Sequence, residues 1–178
     1  PRLKRFYLEQ NLTTKGQQTH KYNMKKNIII RPAIESDRPF IFKLSPRLAE
    51  VAGLEWHSDD VIQKMQDDYI SDMLIQTTVP HTTLIAEKDS VPLGFIHARS
   101  HIDSISGETC ATVPLLAVCS EAQGLGIGKK LVNSVEIWAK ELGYRLLHLE
   151  VFAQNKGAHN FYQKQGFEDE TIHMIKSL

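Results

Sequence analysis

Val118-Cys119-Ser120-Glu121-Ala122-Gln123-Gly124-Leu125-Gly126-Ile127-Gly128-Lys129-Lys130-Leu131 reads as the end of a strand, a glycine-dense turn and the start of a helix. Three alternating glycines remove Cβ atoms where a backbone must come close to a ligand. Exposed N–H groups in such a turn, with a helix dipole behind them, suit phosphate oxygens. Two phosphate loops fail on spacing. A Walker loop needs GxxxxGK followed by Ser or Thr, but Gly124 to Gly128 is one residue short and Lys130 replaces the magnesium-binding hydroxyl. A dinucleotide fingerprint needs GxGxxG near the first strand, and Lys129 stands where its third glycine belongs.

On the N-terminal side of this turn, residues 109–118 form a strand, preceded by an antiparallel hairpin of residues 82–87 and 91–100 around the polar Lys88-Asp89-Ser90 turn. Further upstream, a β-branched run at residues 27–31 stops at Pro32, and Ser36-Asp37-Arg38-Pro39 starts a helix that ends at Gly53. A second helix begins after Ser58, and Val61, Met65, Tyr69 and Met73 recur every fourth residue as a buried stripe. On the C-terminal side, Leu131, Val135, Trp138 and Leu142 share a helix face that Gly143 closes. Residues 146–152 follow as a strand, residues 154–165 as a helix, and residues 167–175 as a closing strand. The order β-α-α-β-β-β-α-β-α-β predicts an α/β fold with a mixed sheet covered by helices.

The 178 residues are 42% hydrophobic and 24% charged, enough for one domain with a substantial core. Lys plus Arg and Asp plus Glu both number 21, so no global basic field draws nucleic acid or an acidic membrane. Cys110 and Cys119 form neither a disulfide framework nor a zinc site, which fits a reducing cytosol and a cytoplasmic protein. No apolar run is long enough for a membrane span. His97 and His101 share a strand face, but no third ligand is spaced with them, so no metal is expected.

Residues 1–23 carry Arg2, Lys4, Arg5, Lys15 and Lys21 against Glu9 and hold no sustained apolar period. They read as a basic extension or an added leader before a domain of residues 24–178, whose natural start would be Met24. Exchange of this arm between subunits would make the chain a homodimer.

Gln123, Gly124, Leu125, Gly126, Ile127 and Gly128 match the acyl-CoA loop Q/R-x-x-G-x-G/A of the Gcn5-related N-acetyltransferase (GNAT) superfamily. Asn155, Ala158, Phe161-Tyr162 and Gly166-Phe167 fill every fixed position of its second signature, N-x-x-A-x-x-(L/F)-Y-x-x-x-G-F. The chain therefore resembles that superfamily from Ile28 to Leu178, with weaker matches at Ile30-Arg31-Pro32-Ala33 with Asp37 and at Leu93-Gly94-Phe95. Glu136-x-Trp138-Ala139 and Val151-Phe152-Ala153-x-Asn155 are similar to a large bacterial subgroup of uncharacterised acetyltransferases.

The resemblance implies that the fourth and fifth strands splay apart to admit the pantetheine of acetyl-CoA. Main-chain groups of Leu116 and Val118 would hold its amides, and the Val118 N–H would face the thioester oxygen. Gln123, Gly124, Gly126, Gly128 and Lys129 would hold its phosphates, and Asn155 would bond the CoA arm or cap the last helix. An amine would attack the thioester directly, with Tyr162 as the acid or as a packing residue. Where many relatives carry a carboxylate base before the Val118 position, this chain has Pro114 and Leu115. Glu150, which shares a strand face with His148, and Glu108 remain as bases beside a bridging water. Substrate choice in the superfamily rests on the segment from Ser45-Pro46 to Trp56-His57, where Trp56 lines an amine pocket or packs on the core. The acceptor amine is left open, and loss of the base would instead leave a non-catalytic acyl-CoA sensor.

Overall fold

The computed structural model describes residues 27–75 and 78–178, so the basic N-terminal extension lies outside the described residues. Five strands form one sheet in the order β1 (Ile29–Pro32), β2 (His81–Lys88), β3 (Val91–Ile102), β4 (Thr109–Val118) and β5 (Leu147–Leu149). The first three pairings are antiparallel and β4 pairs β5 in parallel. The parallel crossover is made by α4 (Ile127–Glu141), whose Leu131, Val132 and Val135 are buried on the sheet against Ile96, Ala98 and Val113. On the opposite face, α1 (Arg38–Lys43), α2 (Ser45–Glu50) and α3 (Asp59–Ile75) cover Ile85, Phe95, Leu115 and Ala117 through Ile41, Leu44, Ile70 and Met73. A final helix, α5 (Lys156–Lys164), packs Phe161 and Tyr162 onto the α4 side. None of the described helices is long and apolar enough to cross a membrane.

The mixed α/β order agrees with the sequence pattern, but the strand expected over residues 146–152 is only Leu147–Leu149, which leaves Glu150 beyond it, and three further local corrections follow. The single helix expected before Gly53 is divided into a 3-10 turn, α1 and α2. Pro46 has no N–H to donate to the carbonyl four residues back, so the helix breaks at Leu44 and restarts at Ser45. Gly53 still ends the segment in a left-handed conformation at φ 58°.

The stripe expected on α3 also falls on the wrong face. Val61, Met65 and Tyr69 are exposed, while Ile62, Gln66, Ile70 and Met73 are buried. A four-residue step overshoots each helical turn, so three such steps carry Val61 about 120° from Met73, whereas Ile62 lies about 20° from it. Finally, residues 168–178 hold no strand. Glu168-Asp169-Glu170 puts three carboxylates where a ladder would have to begin, and Asp169 instead meets the His159 ring of α5 at 2.8 Å.

One charged cluster fastens the start of the chain to the sheet. Arg31 on β1 donates to both oxygens of Asp37, at 2.6 and 2.9 Å, and its Nε donates to Glu87 on β2 at 2.7 Å. Asp37 also accepts the Ile34 N–H at 2.8 Å, so the first helical turn is tied to the sheet edge. The Arg31 guanidinium holds the Asp37 carboxyl below its ordinary value near 3.8. Such a depressed carboxylate stabilises the fold above the ordinary value and loses that contribution as pH falls below it. Arg31→Ala should therefore cost about 1.5–3 kcal/mol at neutral pH. Denaturant titrations at neutral pH and below pH 3.8 should show the gap between wild type and variant narrowing in acid.

Candidate active site

Beyond Val118 the chain makes a 3-10 turn (Ser120–Ala122) and passes through Gln123 into two left-handed glycines, Gly124 at φ 75° and Gly126 at φ 80°. Ala122, Leu125 and Ile127 are buried and pin this turn to the α4 side of the core, while Gln123, Gly124, Gly126 and Lys129 stay exposed. A Cβ on Gly124 or Gly126 would meet no atom within 4 Å, so those two glycines are required by their dihedral angles and not by crowding. Gly128 differs. Its backbone is helical, and an added Cβ would lie 3.1 Å from the tip of Phe161 on α5. The first bond within α4 runs from the Lys130 N–H to the Gly126 carbonyl at 3.2 Å. The N–H groups of Ile127, Gly128 and Lys129 thus precede the helical ladder and, with the dipole of this 15-residue helix, present an anion-binding end.

The strand leading into this turn is open along one edge. Pairing of β4 with β5 ends at Val113↔Leu149, five residues before β4 does. The register with β3 shifts between His97 and Arg99, so Ala98 faces an extra residue of β4 and the alternation of β4 inverts there. Ala111 donates its N–H to Leu146 on the β5 side at 3.0 Å, whereas Cys119 donates to Leu93 on the β3 side at 2.8 Å. By the period of two, the main-chain groups of Leu116 and Val118 point away from β3 toward the gap left by β5. Their side chains join Tyr162, Phe161 and Phe167 at the α4-side core.

Tyr162 lies edge-on to Phe161 and Phe167, with ring centroids 5.1 and 5.6 Å away. Burial pushes its phenol up to about 12, so it holds its proton throughout the neutral range. Asn155 caps α5, its Oδ1 accepting the Ala158 N–H at 3.1 Å. Burial also raises the Cys119 thiol, which disfavours a nucleophilic thiolate.

Of the two carboxylates singled out in the sequence, only Glu150 lies near the strand gap, immediately after β5. Glu108 precedes the far end of β4, about 30 Å from Val118 at ~3.3 Å per residue, and is bound there by Arg145 at 2.7 Å. Trp56 is half exposed and does not pack in the core; its neighbour Gly53 abuts Gln154, just before α5.

A cleft of about 410 Å³ lies between α3 and β3, lined by Tyr69, Asp72, Met73, Ile75, His97 and Arg99. Sequence periodicity did not find it, because it joins a helix and a strand that are distant in the chain. The alternation Phe95, His97, Arg99 was the available signal, since it sets both polar groups on the face of the buried Phe95. His97 is buried, lies 2.8 Å from the Thr83 hydroxyl through Nδ1, and is held neutral by burial, which lowers its pKa to about 3. Burial raises the Tyr69 phenol, and of the charges that act on it Arg99 opposes that shift while Glu150 adds to it. No group of three metal-ligating side chains comes together among the described residues.

A direct test of the glycine turn is Gly126→Asp, which adds a Cβ at a left-handed residue and a negative charge at the helix end. If the turn holds the phosphates of acetyl-CoA, as the sequence resemblance implies, calorimetric titration should show acetyl-CoA affinity falling about tenfold, in keeping with ~1–2 kcal/mol for an anion at a helix N-terminus. Unchanged affinity would place the donor elsewhere.

Comparison with known proteins places this geometry. Residues 46–167 match the acetyltransferase (GNAT) family. An uncharacterised N-acetyltransferase of Methanocaldococcus jannaschii is 33% identical over 49% of this chain and 39% of its own length. A 5-NmdU N-acetyltransferase of Pseudomonas phage PaMx11 is 34% identical over 42% of this chain and 57% of its own length. The chain thus spans well under two thirds of either relative. Among solved structures, a candidate acetyl transferase of Pyrococcus furiosus superposes with a TM-score of 0.71 at 24% identity, over 85% of this chain and 99% of that one. The aminoglycoside N-acetyltransferase AAC(6')-Iy, solved with CoA, gives 0.61 at 20% identity, over 84% and 94%. With both signatures, the splayed strands and the family match over most of its length, the chain belongs to the acetyltransferase (GNAT) family.

Proposed function

We propose that this protein transfers the acetyl group of acetyl-CoA to an amine by direct attack. The observation that carries this reading is the continuity of an open β4 edge with an anion-binding turn. Leu116 and Val118 turn their main-chain groups into the gap beside β5, and the same strand runs into Gly124, Gly126 and the first turn of α4. An extended amide-bearing arm ending in a pyrophosphate needs both features in that order. Leu116 and Val118 hold the pantetheine amides by strand-like pairing, and the α4 end, flanked by Gln123 and Lys129, holds the phosphates. Gly128 serves this indirectly, by letting Phe161 seat α5 against the turn. Asn155 fixes the start of α5 through its Oδ1, which leaves its amide nitrogen as the donor for the CoA arm in this reading.

The Val118 N–H stabilises the charge that develops on the thioester oxygen as the amine nitrogen bonds to the carbonyl carbon. Glu150, directly or through one water, removes the proton of the attacking amine. The C–S bond then breaks, and Tyr162, kept protonated by burial, returns a proton to the departing thiolate. One C–N bond replaces one C–S bond, with acetylated amine and CoA thiol as products. The two free cysteines, Cys110 and Cys119, suit a reducing, cytoplasmic setting.

Tyr162→Phe removes one hydroxyl and keeps the ring contacts. At saturating acetyl-CoA its kcat should fall by about a hundredfold or more, with melting temperature and acetyl-CoA affinity unchanged. Equal kcat values would assign Tyr162 to packing. In the wild type, the phenol should introduce no alkaline loss of kcat until pH approaches 12. Acetyl-CoA binding without thiol release for any amine would instead make the chain a binding module.

A further inference from the structure

We propose that Gly53 is a positioning residue for the transfer: it holds the connection between β5 and α5, and with it Glu150 and Asn155, in the place the reaction needs. The inference rests on the acetyl-transfer reading and adds a residue that touches neither donor nor acceptor. Pairing of β4 with β5 ends at Leu149, so residues 150–155 run on beyond the strand ladder. The backbone bonds of this connection are short-range. The Asn155 N–H donates to the Phe152 carbonyl and the Lys156 N–H to the Gln154 carbonyl, each at 2.8 Å. They set the shape of the connection, and its place depends on a contact from outside it.

That contact comes from the segment after α2. A Cβ on Gly53 would stand 2.8 Å from the Cβ of Gln154 and 3.3 Å from its Cγ. A Cβ is fixed to its backbone and cannot rotate away, so the two segments approach as closely as a glycine allows. The Gly53 side of the contact is anchored. Ser45, buried at the start of α2, donates to Asp67 of α3 at 2.5 Å and accepts from Gln63 at 2.9 Å. Ala52 is fully buried, and its N–H donates to the Ala49 carbonyl at 3.1 Å. A chain of contacts thus runs from α3 through α2 to Gly53 and on to Gln154. Asn155, the next residue, caps α5 through its Oδ1, and Glu150 lies four residues earlier in the same connection. A shift at Gln154 therefore moves the proposed CoA-arm contact first and carries the proposed base with it.

Gly53 is also left-handed at φ 58°, so a side chain there brings backbone strain as well as the clash. Gly143 separates the two effects. It is left-handed at φ 78°, and a Cβ on it would meet no atom within 4 Å. It follows the far end of the 15-residue α4, about 22 Å from the glycine turn at ~1.5 Å per residue.

The test titrates the full chain with acetyl-CoA calorimetrically and records thermal melting for wild type, Gly53→Ala, Gly143→Ala, Gln154→Gly and the pair Gly53→Ala/Gln154→Gly. Gly53→Ala and Gly143→Ala should both melt about 2–8 °C lower through strain. Only Gly53→Ala should also lose about tenfold in acetyl-CoA affinity, the scale of one hydrogen bond. Gln154→Gly, which empties the same contact, should lose affinity as well. The pair moves the Cβ from one side of the contact to the other, so it should regain affinity to within about threefold of wild type while its melting temperature stays low. Unchanged affinity in Gly53→Ala, an equal loss in Gly143→Ala, or a pair no tighter than its single variants overturns the inference and leaves acetyl transfer standing. If Gly53→Ala does not fold, Gln154→Gly decides, and affinity equal to wild type overturns the inference. A wild type that does not bind acetyl-CoA overturns acetyl transfer and the inference together.

Discussion

The extra residue of β4 opposite Ala98 is the constraint on which the rest of the site depends. In an unbroken strand, the groups that reach β5 at Ala111 and Val113 would continue in odd-numbered residues, and Leu116 and Val118 would spend their amides on β3. The bulge reverses that alternation, so the upper strand is held by β3 on one side and turns the main-chain groups of Leu116 and Val118 away from it on the other. Pro114 lies in the region of the inversion, where its missing N–H has no ladder to serve. The parallel partner ends at Leu149, before it could cover those groups. A sheet edge is ordinarily a liability; here it is short, internal to the sheet's outline and capped by a glycine turn.

The two faces of the sheet carry different chemistry. The α4 face supplies a rigid anion-binding helix end and a cluster of rings that keeps a phenol dry and protonated. The α3 face supplies a cleft where charges of both signs surround an apolar wall. The anion-compatible turn and the cleft thus lie on opposite faces of the sheet.

The glycine turn was legible in the sequence because it is local. A strand, an alternating glycine turn and a helix lie within fourteen residues, and each glycine departs from what propensity alone would allow. The second signature was legible for the same reason, since Asn155 caps the helix that carries Tyr162. The cleft was not, because it is made by the phase of α3 against a strand that follows it. A one-position error in that phase was enough to place Tyr69 in the core instead of in the cleft wall. Glu108 and Glu150 looked equivalent as carboxylates near strands, and only the direction and length of β4 separated them. The run of acidic residues after Phe167 outweighed a strand-like pattern that was otherwise sound.

Gly128 and Phe161 share one small volume, since the ring tip stands 3.1 Å from where a Cβ would be. That contact makes the two positions a single steric unit, although one belongs to the phosphate turn and the other to the last helix. A side chain at 128 requires the Phe161 ring to give way by a few tenths of an ångström or to be replaced by a smaller one, and a smaller residue at 161 alone leaves unfilled space beside the turn. Because Tyr162 is the next residue on that helix, divergence of the phosphate turn is mechanically bound to the placement of the phenol. A change of volume at either position is therefore transmitted to the other through this one contact.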